Sequence, residues 1–139
     1  MYKHILVAAD GSDHSYRAAK QAGNLAKMSS DCIITMIYII NYDDSKKAVL
    51  HQDSLVAAQR ERRDKLNRHE LLFKQKGLRY SVMLKHGEPG PTIVKYANEE
   101  KVDLVILGSR GLNNLQQFVL GSVSHKVVKR VNCPVMIVK

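Results

Sequence analysis

The chain has 139 residues, 45% of them apolar, which is enough for one domain with a sizeable core. Its 22 Lys and Arg against 13 Asp and Glu leave a formal net charge of +9, so a polyanionic partner such as nucleic acid has to be considered. No apolar run approaches the roughly 20 residues of a membrane span, and no charged-then-apolar leader precedes the opening strand pattern, so the expectation is a cytoplasmic protein.

Lys3 to Ala9 reads as a first strand, apolar nearly throughout, as a sheet covered on both faces requires. It runs into Asp10-Gly11-Ser12-Asp13, where Ser12 or Asp13 can cap a helix extending to about Met28. Ala18, Ala19, Ala22, Leu25 and Ala26 fall on one face of that helix. Asp31 to Ile40 is a second strand, rich in β-branched residues. Asn41 to Lys47 is polar and reads as a loop. Ser54 to Gln75 is helical by propensity, with a thin apolar face of Leu55, Ala58, Leu66, Leu72 and Phe73. Gly77 is positioned to end it in the left-handed conformation.

Arg79 to His86 alternates Tyr80, Val82 and Leu84 with Ser81, Met83 and Lys85, the pattern of an edge strand with one wetter face. The turn His86-Gly87-Glu88-Pro89-Gly90-Pro91 leads into a helix, with Pro91 at its first position, that runs to about Lys101 and buries Ile93, Val94 and Ala97. Val102 to Leu107 is a fourth buried strand. After Gly108-Ser109-Arg110-Gly111 and nine further residues, Gly121-Ser122 opens a last helix with a valine stripe, Val123, Val127, Val128 and Val131. Asn132-Cys133-Pro134 stops it, and Val135 to Val138 is a fifth strand.

Strands alternating with helices specify an α/β fold: a single domain, residues 1–139, with an open parallel five-stranded sheet, helices on both faces and right-handed crossovers. With strand 1 central, ligands belong in the crevice at the carboxyl ends of strands 1 and 4. Those ends carry Asp10-Gly11-Ser12 and Gly108-Ser109-Arg110-Gly111, the most turn-like strand exits in the chain. Glycines let a backbone approach a ligand closely. A helix start supplies free N–H groups and partial positive charge, which together make a phosphate cradle.

Other chemistries lack their motifs. There is no G-x-x-x-x-G-K-[ST], no G-x-G-x-x-G after strand 1 and no G-x-S-x-G elbow. His14, His51, His69, His86 and His125 are scattered without metal-ligand spacing, so no metal site is assigned, and nothing orients Asp10, Ser12 and His14 as a triad. Cys32 and Cys133 lie far apart and read as buried free thiols. The cations Arg60, Arg62, Arg63, Lys65, Arg68, Lys74, Lys76 and Arg79 crowd one helix and the residues after it. A solvated face is the simpler account of them than a nucleic-acid groove.

Gly108-x-x-Gly111, nine residues, then Gly121-Ser122 resembles the nucleotide-binding signature of the universal stress protein family. The resemblance covers the whole chain: the Ala9-Asp10-Gly11-Ser12 exit, the Gly87-Glu88-Pro89 turn, the Val102-to-Ser109 run and the closing Cys133-Pro134-Val135 strand. It implies a Rossmann-like sheet of the adenine nucleotide alpha hydrolase type, strand order 3-2-1-4-5. It also implies an ATP ligand, alone or with Mg2+, and the ATP-binding branch of the family. Ala8, Ala9 and Asp10 match the adenine and ribose contacts, Ile39 the apolar residue against adenine, and Leu107 and Gly108 the adenosine side. Gly111, Gly121, Ser122, Val123 and Ser124 match the phosphate loop, and Arg110 can pair with phosphate. Each has a plainer account: Asp10 as a turn aspartate, Arg110 as a solvated loop tip, Ser122 as a helix cap, the glycines as turn geometry alone. Tyr38 stands where many relatives carry histidine.

The function so implied is a nucleotide-dependent regulatory or stress-response switch with at most slow ATP hydrolysis, not an efficient enzyme and with no catalytic residue assigned. A homodimer through Val135–Val138 is implied as well. The alternatives are a module binding nucleic acid or another anionic partner through residues 60–79, or a small adenylate- or phosphate-transferring enzyme.

Overall fold

The computed structural model describes residues 1–40, 52–109 and 121–139, without the side chains of 52–55 and 58. The elements are β1 (His4–Ala8), α1 (Asp13–Ala26), β2 (Ile33–Ile40), α2 (Gln52–Gln75), β3 (Arg79–His86), α3 (Pro89–Glu99), β4 (Leu104–Gly108), α4 (Ser122–Arg130) and β5 (Val135–Val138). They form one sheet in the order β3-β2-β1-β4-β5, every pair parallel. The register sets Val7 beside Met36 on one side and Ile106 on the other. Doubly covered strands need apolar side chains on both faces, and β1 supplies them: Ile5, Leu6 and Val7 are wholly buried.

Alternation divides the core into two layers. Ile5, Val7, Ile34, Met36, Leu104 and Ile106 pack with Ala18, Ala19 and Ala22 of α1 and Leu66 and Phe73 of α2. Leu6, Ile37, Val105 and Leu107 pack with Ile93 and Ala97 of α3 and Val127 of α4. Three alanines on α1 bring its backbone close to the sheet. Ser12 caps that helix, its hydroxyl accepting from the Ser15 N–H at 3.1 Å.

Several boundaries differ from the sequence reading. α1 ends at Ala26, leaving Met28 exposed. α3 begins at Pro89 with Glu88 as its N-cap, so the proline in the first position is Pro89 and Pro91 sits two residues inside. Gly87, at φ +141, makes the turn that frees Glu88 to cap. On α4 the stripe is narrower than expected. Val127 is buried, but Val128 is 47% exposed because one residue turns it ~100° away. Cys32 is buried, Cys133 only half-buried, and both are free thiols. Gly77 does adopt the left-handed conformation, at φ +65, and ends α2. The Asn41–Lys47 loop and the inward placement of Leu55 and Ala58 lie outside the described residues. No helix among the described residues is long and apolar enough to cross a membrane.

Candidate functional site

The carboxyl ends of β1, β2 and β4 open on one side of the sheet, as parallel pairing requires, and those of the expected site residues that are described lie at or near them. Ala8, Ile39 and Leu107 all belong to the layer packed on α3 and α4. Leu107 is buried, while Ala8 and Ile39 are half-buried and form an apolar floor open from above. Val123, from the first turn of α4, packs on the same layer. Ala9 is different: its side chain is buried in the opposite layer, and its N–H donates to the Ile37 carbonyl at 3.0 Å.

Asp10 follows directly. Gly11, at φ +85, reverses the chain so that the Ser12 N–H donates to Asp10 Oδ1 at 2.9 Å. This is the aspartate turn that residue type alone allows. It spends one carboxylate oxygen on the backbone and fixes the direction of the other.

Gly108 ends β4. A β-carbon there would lie 2.8 Å from His14 Cβ and 2.9 Å from the His14 carbonyl carbon, so this glycine lets α1 close on the strand. His14 Nδ1 accepts from Arg17 Nη2 at 2.9 Å, and Arg17 Nε donates to the Lys139 carbonyl at 2.9 Å.

Gly121 is the N-cap of α4, not Ser122, and no side chain caps the helix. Its φ of −59° is open to any residue, and among the described residues a β-carbon added to it meets nothing within 4 Å. The first hydrogen bond of α4 runs from the His125 N–H to the Gly121 carbonyl, at 2.9 Å, so the amides of Ser122, Val123 and Ser124 precede it. Their partial positive charge has no acidic residue in the first turn to answer it. The two serines part company: Ser122 is exposed, and Ser124 is buried with its hydroxyl donating to the Gly108 carbonyl over a long 3.4 Å. Arg110 and Gly111 lie outside the described residues. Among the described residues no group of three His, Cys, Asp or Glu side chains could hold a metal.

The sequence reading missed what α2 contributes. Lys65 lays its aliphatic stem over Gly11 and carries its ammonium 6.0 Å from the Tyr38 ring centroid, paired with Glu61 at 2.9 Å. That pair raises the Lys65 pKa. Arg68 Nη2 donates to Asp13 Oδ1 at 2.8 Å and to the Gly11 carbonyl at 3.3 Å, with the guanidinium 4.6 Å from the Tyr16 ring centroid. Its hydrogen bond and charge lower the pKa of the exposed Asp13. His69 is wholly buried beside them, edge-on to Tyr16, with Nε2 3.0 Å from Ser15 Oγ. Ser15 Oγ donates to the Ser12 carbonyl, so His69 Nε2 carries the proton and Nδ1 is left as a buried lone pair without a partner among the described residues. Burial above all, and the Arg68 charge next, lower its pKa to about 4. The signal was present as spacing, with Lys65, Arg68 and His69 flanking the buried Leu66, but charge masked it.

The model of the universal stress protein family matches residues 1–139. A universal stress protein of Methanocaldococcus jannaschii is 33% identical over 144 residues, covering all of this chain and 83% of the relative. A solved structure of a second protein from that organism, described as hypothetical, superposes with a TM-score of 0.85 at 29% identity, covering 100% of this chain and 96% of the other. A universal stress protein solved in complex with cAMP superposes with a TM-score of 0.71 at 26% identity, covering 99% and 96%.

Proposed function

The chain belongs to the universal stress protein family, and from that premise we propose that it binds an adenine nucleotide, ATP above all, in the crevice over β1, β2 and β4. The observation that carries the reading is Gly121. Its backbone conformation does not require a glycine, the described residues leave room for a side chain, and the first turn of α4 follows it. A phosphate approaching those amides needs the space a side chain would fill. The neighbour solved with cAMP supports an adenine nucleotide.

In this reading the base rests on Ala8 and Ile39 beside Leu107 and Gly108, and Asp10 accepts from the ribose hydroxyls. Ser122, Val123 and Ser124 donate backbone N–H groups to phosphate, with the Ser122 hydroxyl beside them. Arg110 and Gly111 complete the cradle. Where Mg2+ accompanies ATP, it would offset phosphate charge beside the amides of α4. The set binds charge without offering a base to an attacking water, so hydrolysis is slow at most and the role is a nucleotide-dependent switch.

The open edge of β5 suits a second copy. Pro134 and Val138 turn their carbonyls to β4, so by alternation Val135 and Ile137 present their backbone groups outward. Four apolar residues on such an edge are a hazard unless paired, and antiparallel pairing of two identical edges closes on itself.

The deciding experiment is denaturation of the purified protein with mass spectrometry of what is released, followed by thermal unfolding with added ATP. At about a hundred times its Kd, a ligand adds about 2.7 kcal/mol, roughly 5–10 °C for a domain of this size. No released nucleotide and no shift, with or without Mg2+, would end the assignment.

A further inference from the structure

The last sheet contact at the end of β1 is Ala9 N–H to Ile37; beyond it the chain that carries Asp10 is held from α2. Lys65 covers Gly11 so closely that an added β-carbon would lie 2.9 Å from Lys65 Cβ, 3.1 Å from Cγ and 3.3 Å from Cδ. Arg68 binds the Gly11 carbonyl and Asp13, the residues on either side of Ser12. Ser12 in turn supplies the N–H that orients Asp10. Both cations approach from the α1–α2 side of the sheet, where Lys65 meets Tyr38, whereas the apolar floor of Ala8, Ile39 and Leu107 belongs to the other layer.

We propose that Arg68 and Lys65 are positioning residues of the nucleotide site: they brace the Asp10–Asp13 turn from behind and aim the Asp10 carboxylate without touching the ligand. The inference rests on the nucleotide-binding reading for its purpose, though the bracing itself exists without ligand. Gly11 at φ +85 has few steric restraints of its own, so a carbonyl held at Arg68 and an α-carbon held under Lys65 fix what the residue leaves free. Arg68 is 43% exposed and Asp13 77%, so their ion pair adds little to global stability. A role in aiming Asp10 is therefore separable from a role in folding.

The test uses Arg68→Ala, Lys65→Ala and Arg68→Lys in the full chain. In the ligand-free protein, the Ser12 amide should exchange about tenfold faster in Arg68→Ala, the scale of one net hydrogen bond, while amides of β1 and β4 keep their protection. Affinity for adenosine, AMP and ATP should then fall by the same factor in each alanine variant, because the carboxylate serves the nucleoside they share. Arg68→Lys, which reaches one acceptor rather than two, should lie between. A Ser12 amide as protected in Arg68→Ala as in the wild type overturns the brace. So does a loss that grows with phosphate number, which would make these cations direct phosphate ligands. If the wild type binds none of the three ligands, the nucleotide reading fails, and the Ser12 amide alone decides the brace. Should Arg68→Ala not fold, the same amide in Arg68→Lys decides it.

Discussion

Gly108 and His14 meet where β4 ends and α1 begins, at a separation that admits no side chain on the strand: a β-carbon on Gly108 would sit 2.8 Å from His14 Cβ and 2.9 Å from its carbonyl carbon. One of those atoms is main chain, so a substitution cannot be absorbed by a rotamer change alone. Gly108→Ala should cost about 1–3 kcal/mol in urea unfolding, the usual range for overpacking. A variant as stable as the wild type would mean that α1 can ride outward freely.

Gly121 should behave in the opposite way. No described residue within 4 Å opposes a side chain there, and φ is −59°. Gly121→Val should lower stability by about 1 kcal/mol at most, through a poorer N-cap, while abolishing the thermal shift with ATP. Normal ATP binding by this variant would remove α4 from the phosphate site.

The pH dependence of folding should carry the mark of His69. Its pKa is lowered from 6.5 to about 4 in the folded chain, so the unfolded chain takes up a proton that the native core refuses. Stability is unaffected by this group above pH 6.5, is lost as pH falls from there towards 4, and changes no further below. The full loss is on the order of 3 kcal/mol. His69→Gln should flatten the decline between pH 6.5 and 4 in denaturant titrations. An unchanged slope would assign the acid sensitivity to carboxylates instead.

Ile137→Pro would remove an outward N–H from the open edge of β5 without breaking a β4 bond. The wild type should be dimeric by light scattering at micromolar concentration and this variant monomeric, with a similar far-UV spectrum. A wild-type monomer, or a variant that still dimerises, places the partner surface elsewhere.

The alternation of elements and the helix faces were legible because periodicity and turn residues report local geometry directly, whereas the strand order came from the family resemblance. Ala18, Ala19 and Ala22 could be placed on the sheet from spacing alone. Lys65 and Arg68 could not. A basic run reads as a solvated face, and only the packing of α2 on α1 reveals that two of its cations turn towards Gly11 and Asp13. His69 was hidden likewise: its spacing from Leu66 and Phe73 fits the buried face, but it lies inside the charged run. Val128 erred the other way: a valine among valines looked inward, but only Val127 of the adjacent pair is buried. The purpose of each glycine was equally unreadable. Gly108 admits a helix and Gly121 meets no described neighbour, a distinction that needs the neighbours' atoms.

Arg17 touches both ends of a lever. One nitrogen grips the Lys139 carbonyl, one residue past the outermost strand, and another grips the imidazole of His14, whose Cβ and main chain close on Gly108 at the end of β4. A shift of either anchor must be taken up by the same guanidinium, so the rim that would face a nucleotide and the border that would face a twin molecule share one joint.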